Sequence, residues 1–311
     1  MWRILIISLI ALALIVVVRI LFPFPVSPIT VAAEPLPGLV IPGINLPITN
    51  SLLTTWIAMV LLIGFALWAG RNLKPIPTGK QNAAEMLVEG LYGLVESIAG
   101  PKWAPSFFPT VTTIFLFVLV SNWIDLLTPI LAAVGFTEHG EIIPILRSPS
   151  TDLNFTLGLA LISVVLTQYY GIRSNGLLTY LGRFINLKGI VRFFRVITGK
   201  EKGNAFGALF MGLIDFYMGL VEIVSEVAKI ISFSFRLFGN IFAGEVLLLV
   251  IPFLLSFLVP LPFLGLETFV GLIQAFIFAV LTLAFMSMAT VVHGGSEHAE
   301  RAAATPDNVS V

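Results

Sequence analysis

Between Lys229 and Val250 the chain reads KIISFSFRLFGNIFAGEVLLLV, an apolar run that carries an arginine, an asparagine and a glutamate. Arg236 stands among Phe233, Phe235, Leu237 and Phe238. A charge at the centre of a spanning helix costs about 3 kcal/mol even on the lenient insertion scale, so its presence points to a function. At about 100° per residue, Asp215, Glu222, Glu226, Lys229, Arg236 and Asn240 fall within an arc of roughly 80° on one helix. Glu245, nine residues beyond Arg236, comes out on roughly the opposite face by the same arithmetic. Ionisable groups that look in two directions from one apolar helix fit two separate water-accessible paths.

A second apolar stretch, Phe263 to Val292, places Glu267 and Gln274 seven residues apart and so on nearly one face. Glycines 239 and 244 remove bulk beside Arg236, which allows another helix to approach closely. No other chemistry competes with this set. Cysteine is absent, which removes disulfides, thiol catalysis and thiolate metal sites. His293 and His298 lie in a polar tail and His139 in a loop; with no third ligand cluster, a solvated tail is favoured over a metal site. No G-x-x-x-x-G-K-[ST] phosphate loop occurs, so no cofactor is expected, and zero net charge gives no reason for a nucleic-acid partner.

The elements that must hold these residues are membrane helices. Hydrophobic residues make up 58% of the 311 positions and charged ones 11%, with a mean hydropathy of +1.02, which defines a polytopic membrane protein. An apolar run at 4–18 precedes a Pro-rich segment through Pro47 and reads as an extra helix or a signal segment. Val31-Ala32-Ala33 resembles a cleavage site but lies far from the end of that run, and retention is favoured. Leu52 to Gly70 is long enough to cross a core of about 30 Å. Asn82 to Ala99 has Glu85, Glu89 and Glu96 at helical spacing among Met86, Leu87, Leu91 and Leu94, which predicts an amphipathic helix at the surface or against a partner protein; a solvated face accounts for it equally well. Phe107 to Trp123 and Leu153 to Tyr170 are further spans. The loop between them sets Asp125, Glu138, His139, Glu141 and Asp152 against a single Arg147, and reads as the outer side. After Tyr170 come Arg173, Arg183, Lys188, Arg192, Arg195, Lys200 and Lys202 against Glu201 alone, which marks that side as cytoplasmic. Ala205 to Ile251 has no proline; unbroken, it would measure about 70 Å, over twice the core thickness, and so would tilt or run partly along the interface. Pro252, Pro260 and Pro262 then turn the chain back. The expected fold is all-α and polytopic: five core membrane helices that include a long tilted carboxy-terminal hairpin, one surface helix and the amino-terminal segment. Residues 1–50, 51–293 and 294–311 divide as amino-terminal segment with outer loop, membrane domain and polar cytoplasmic tail.

The run SFSFRLFGNIFAGE at 232–245, with IQAFIFAVLTLAFMSMA at 273–289, resembles subunit a of F-type ATP synthases, and the likeness extends to SNWIDLL at 121–127 and PSTDLNFTLGLAL at 149–161. It covers roughly residues 50 to 293. The resemblance implies a non-catalytic stator that grips a ring of small c subunits, each with a membrane carboxylate, beside peripheral-stalk b subunits, the rest of the synthase and membrane lipid. It implies that Arg236 is the family's indispensable arginine, that Gln274 and Asn240 orient groups beside it, and that Glu245 and Glu267 belong to the outer half-channel. Some members carry histidine where Glu267 stands, so this chain presents a carboxylate pair, which would titrate as a coupled unit. Asp125, Asp152 and Asn154 are candidates for the entry vestibule, although Asp152 could equally cap a helix. Glu222 and Glu226 are candidates for the inner exit, with Lys229 as a structural ion-pair partner. The expected setting is a bacterial inner membrane with the carboxy terminus in the cytoplasm. A sodium-coupled version of the same synthase and a secondary proton or sodium antiporter are the alternatives; the antiporter should show internal repeats, and none is visible.

Overall fold

The computed structural model describes residues 32–41, 43, 45–71, 74–75, 79–126, 135–138, 141–184, 195–196, 198, 205–254 and 260–291. The apolar run at 4–18, the three histidines, the basic residues Lys188, Arg192, Lys200 and Lys202, and the tail from 294 lie outside them. The fold is all-α and polytopic, as expected, and among the described residues five helices are long and apolar enough to cross a membrane.

The first is α1, Asn50–Gly70. Thr49 caps it, its hydroxyl accepting from the Leu52 amide at 3.3 Å. Its buried positions are Asn50, Ser51, Thr54 and Ala58, while Val60, Ile63 and Leu67 are exposed. That pattern inverts the one of a soluble protein, because lipid is as apolar as leucine and helices pack through small and hydrogen-bonding residues.

The expected surface helix and the next span form one element, α2, Lys80–Asp125, broken at Gly100 (φ 73°, ψ 165°). A side chain would strain that conformation, and Pro101 then starts the second segment where no amide hydrogen bond is lost. Before the break Glu85, Glu89 and Glu96 are exposed. After it Ala104, Phe107, Val111, Ile114 and Val118 are buried at alternating spacings of three and four, the stripe of a helix packed on its own chain.

Two short antiparallel hairpins are additions that the sequence reading did not foresee. β1 (Pro35–Ile41) pairs with β2 (Leu46–Thr49) in the Pro-rich segment, and β3 (Gly135–Glu138) with β4 (Glu141–Pro144) in the acidic loop. A 3-10 turn at Pro149–Thr151 leads into α3, Leu153–Asn175, and α4, Leu177–Phe184, follows Gly176 (φ 80°). The proline-free stretch is a single helix, α5, Ala205–Leu254, which runs two residues past Pro252. At 50 residues it is about 75 Å long. Next comes α6, Pro260–Thr290, with Pro260 and Pro262 in its first turn, where helix amides have no partner to lose.

The chain divides into two compact units. In the first, Met1–Ala160 with Ile231–Leu281, the Asn122 amide donates to the Gly271 carbonyl at 2.9 Å and the Trp123 indole to that of Thr268 at 3.2 Å, which docks α2 on α6. The Phe233 and Phe278 rings lie 5.1 Å apart between α5 and α6, and the Ser234 and Thr156 hydroxyls meet at 3.1 Å between α5 and α3. The second unit is Leu161–Ile230 with Thr282–Val311. There the Tyr180 hydroxyl donates to Gln168 at 2.6 Å, and its ring fills the space a side chain at Gly171 would need. Ser174 and Asn175 donate to the carbonyls of Thr290 and Ala289 at 2.9 and 3.0 Å, fixing the end of α3 to that of α6.

Lys229 lies in this second unit, 2.7 Å from Glu226 and 4.8 Å from the Phe285 ring centroid, with both charged side chains largely covered. Removing one partner of a covered ion pair costs more than removing both. Lys229→Met is therefore expected to lower the melting temperature of the detergent-solubilised complex, by an amount equivalent to at most about 3 kcal/mol, and Lys229→Met with Glu226→Gln to recover most of it. Equal melting of single and double variants would show that the pair adds nothing.

Candidate functional site

In the first unit α5 presents two different surroundings. Arg236 and Asn240 are exposed, and so is Phe235 beside them; Leu237 and Ile241 are buried. The Arg236 guanidinium donates to the Ser232 hydroxyl one turn earlier at 3.3 Å. Glu245 is buried, so the opposed faces expected from helical spacing are what the folded chain displays.

Asn240 reaches α6, its amide donating to Gln274 Oε1 at 2.9 Å. Gln274 is buried, and its Nε2 meets no hydrogen-bond partner among the described residues. The amide one turn after the exposed arginine is thus joined to a buried one on α6, which keeps an unused donor among the described residues. On the side of Arg236, Gly239 faces open space; on the other, Gly244 does not. The Glu267 carboxyl group of α6 occupies the place where a Cβ on Gly244 would stand, against the backbone just before Glu245. Glu267 is buried too, with Oε1 unpartnered among the described residues. Among the described residues of this chain the close approach expected at the two glycines is made at Gly244, and what approaches there is a carboxyl group.

Glu245 meets a residue that the sequence reading left in a loop. Arg147 is 4% exposed and reaches both Glu245 oxygens, Nε to Oε1 and Nη2 to Oε2, at 3.5 Å each. The only signal for it in the sequence is that it is the lone cation of an acidic loop. Asn122, whose acceptor on α6 lies one turn from that of Trp123, was likewise legible only as part of SNWIDLL.

The remaining candidates are placed as follows. Asp152 is buried, accepts from Ser51 Oγ at 2.7 Å and from the Asn154 amide at 2.9 Å, and so caps α3 while tying it to α1. Asn154 is exposed at the start of α3. Asp125 ends α2, and its side chain lies outside the described residues. Asp215, Glu222 and Glu226 are half-buried in the second unit, among exposed Val221, Val224 and Val227. Among the described residues no group of three or more His, Cys, Asp or Glu side chains could hold a metal ion.

Fold and site together define a polytopic helical membrane protein that shows an arginine on one face of a spanning helix and buries carboxylates behind it. The family described as "ATP synthase A chain" matches residues 52–287. ATP synthase subunit a of a Nitratiruptor species is 33% identical over 238 residues, 76% of this chain and 88% of that protein. ATP synthase subunit a of Moorella thermoacetica is 31% identical over 251 residues, 80% of this chain and 93% of that protein. The chain belongs to the ATP synthase A chain family.

Proposed function

We propose that the chain is the proton-translocating stator subunit of a rotary F-type ATP synthase. It offers two offset aqueous half-channels to the carboxylates of a ring of c subunits, and Arg236 separates them. The observation that carries the reading is the pairing, within one compact unit, of an exposed Arg236 with Glu245 buried on the opposite face of α5 and Glu267 buried against Gly244. An exposed guanidinium in an apolar surface holds a passing carboxylate ionised, and it stays charged under desolvation where an amine would not. Two buried carboxyl groups, Glu267 packed against Gly244 and Glu245 held by Arg147, supply a proton relay toward that surface. Asn240 and Gln274 orient the group at Arg236; Asp152 and Asn154, with Asp125, line the entry, and Glu222 and Glu226 serve the exit.

The chain performs no bond chemistry in this scheme. One proton yields about 2.3 kcal/mol per 100 mV, so several must be accumulated per ATP, which a rotating ring does and a one-proton carrier does not. The setting is a bacterial plasma membrane with the carboxy terminus in the cytoplasm, and the peripheral-stalk b subunits hold the chain against the turning ring. The test is gentle solubilisation followed by ion-exchange assay. Co-purification with a ring of carboxylate-bearing hairpins, and proton flux only in its presence, is the expected result; this chain alone, active in ion exchange, would overturn the proposal.

A further inference from the structure

The motif around Arg236 gives Arg147 no role, yet the fold surrounds its guanidinium with acceptors from three separate stretches. Besides the two Glu245 oxygens, Nε donates to Thr151 Oγ1 at 3.2 Å and Nη1 to the Ala32 carbonyl at 2.8 Å. Its backbone amide donates to Thr54 Oγ1 at 3.3 Å. The shortest of these bonds goes to a residue ahead of the 52–287 match. That residue belongs to a segment which is itself pinned: the Glu34 amide donates to Asn50 Oδ1 at 3.2 Å, the Asn50 amide to the Glu34 carbonyl at 3.0 Å, and Asn50 Nδ2 to the Pro144 carbonyl at 3.4 Å. Asn50 is fully buried.

The distances have a chemical meaning. A charge-assisted bond between guanidinium and carboxylate normally closes to about 2.7–2.9 Å. The Nε–Oε1 and Nη2–Oε2 approaches to Glu245 are 3.5 Å each, longer than this, while the bond to Ala32 at 2.8 Å lies within it. A tightly forked carboxylate is held ionised and gives up its place in a relay; a carboxylate with no fork swings through its rotamers. A guanidinium drawn back toward a backbone carbonyl avoids both.

We propose that Arg147, restrained by the Ala32 carbonyl, is the positioning residue for Glu245, and that residues 32–50 are thereby a working part of the outer proton path. The proposal rests on the reading of Glu245 as a proton relay. It assigns a purpose to a stretch that otherwise only leads into α1, and it requires the peptide after Ala32 to stay intact in the working complex.

The experiment measures proton flux under an imposed potential through the membrane part of the assembled complex in vesicles, at matched content of this chain. Arg147→Lys keeps the charge but cannot bond Ala32, Thr151 and both Glu245 oxygens together, so flux falls on the order of tenfold, the scale set by misplacing a reacting group. Asn50→Ala, which unpins residues 32–34, lowers flux severalfold when Arg147 is present and adds nothing in an Arg147→Gln background, because its effect passes through the guanidinium. Native flux in Arg147→Lys, or independent and additive effects of Asn50→Ala and Arg147→Gln, would overturn the proposal. Where Asn50→Ala lowers assembly, Asn50→Ser repeats the cycle with a smaller perturbation. Arg236→Ala in the same vesicles separates the claims. If it blocks ATP-driven pumping and the Arg147 variants run at the native rate, only the positioning role fails; if it pumps normally, the charge-barrier account on which the relay reading rests fails.

Discussion

Arg236→Ala is expected to abolish ATP-driven acidification of vesicles that carry the assembled complex, with passive proton permeability retained or raised. The guanidinium is exposed on α5 between Ser232 and Asn240, one turn to either side and also exposed, so its removal leaves those turns of the face without a charge. At about 4 Å and an effective dielectric constant of about 20, a fixed cation stabilises a passing carboxylate by about 4 kcal/mol. That is roughly a thousand-fold in the ratio of ionised to protonated forms. Without it nothing holds the ring carboxylate ionised at the boundary, and the two aqueous paths exchange protons without turning the ring. Arg236→Lys should fall between the two, because an ammonium surrenders its charge more readily when desolvated and lacks the planar fork. Unchanged pumping in Arg236→Ala would make the residue structural and end the charge-barrier account, whatever the family.

Nearly as large an effect is expected at a residue with no side chain. In Gly244→Val the new carbons occupy the place of the Glu267 carboxyl group, so that side chain must leave the position it holds against α5. Overpacking of this kind costs about 1–3 kcal/mol in a well-packed interior. Here it also drives Glu267 away from the stretch that carries Glu245, so pumping should fall by more than about tenfold even where assembly is preserved. Gly244→Ala should show a smaller loss. Shortening the opposing side chain, in Gly244→Ala with Glu267→Asp, should restore part of it relative to Gly244→Ala alone. A double variant no better than the single would remove the steric explanation.

How much of this could be read from the chain depends on the distance over which each feature is written. Arg236, Asn240 and Glu245 lie on one helix, where about 100° per residue converts sequence into direction, and their exposed and buried faces follow from that period. Gly244 announced a close approach, but that the visitor is Glu267 depends on the register of α5 against α6, which no local period encodes. Arg147 is the plainest case. Its partners lie 98 and 115 residues away, and nothing in an acidic loop distinguishes a buried clamp from a solvated cation. The hairpins β1–β2 and β3–β4 escaped for a related reason: proline-rich and acidic segments carry no clean two-residue alternation, and the pairing is set by their ends. The five long helices, in contrast, were legible, because long apolar runs admit few other forms in lipid, whereas α4, eight residues in a stretch read as a basic loop, was not.

The break in α2 has a mechanical consequence. A continuous helix of 46 residues would be a stiff rod about 69 Å long, and a sideways push on its first half would be levered straight into Asn122 and Trp123, whose hydrogen bonds seat α2 on α6 beside Glu267. At Gly100 that rod is interrupted, and Pro101 supplies no amide to carry the hydrogen-bond ladder across the gap. Force applied to residues 80–99 is spent turning two backbone dihedrals of a residue without a side chain. The acidic segment can then be displaced while Asn122 and Trp123 keep their bonds to α6 beside Glu267.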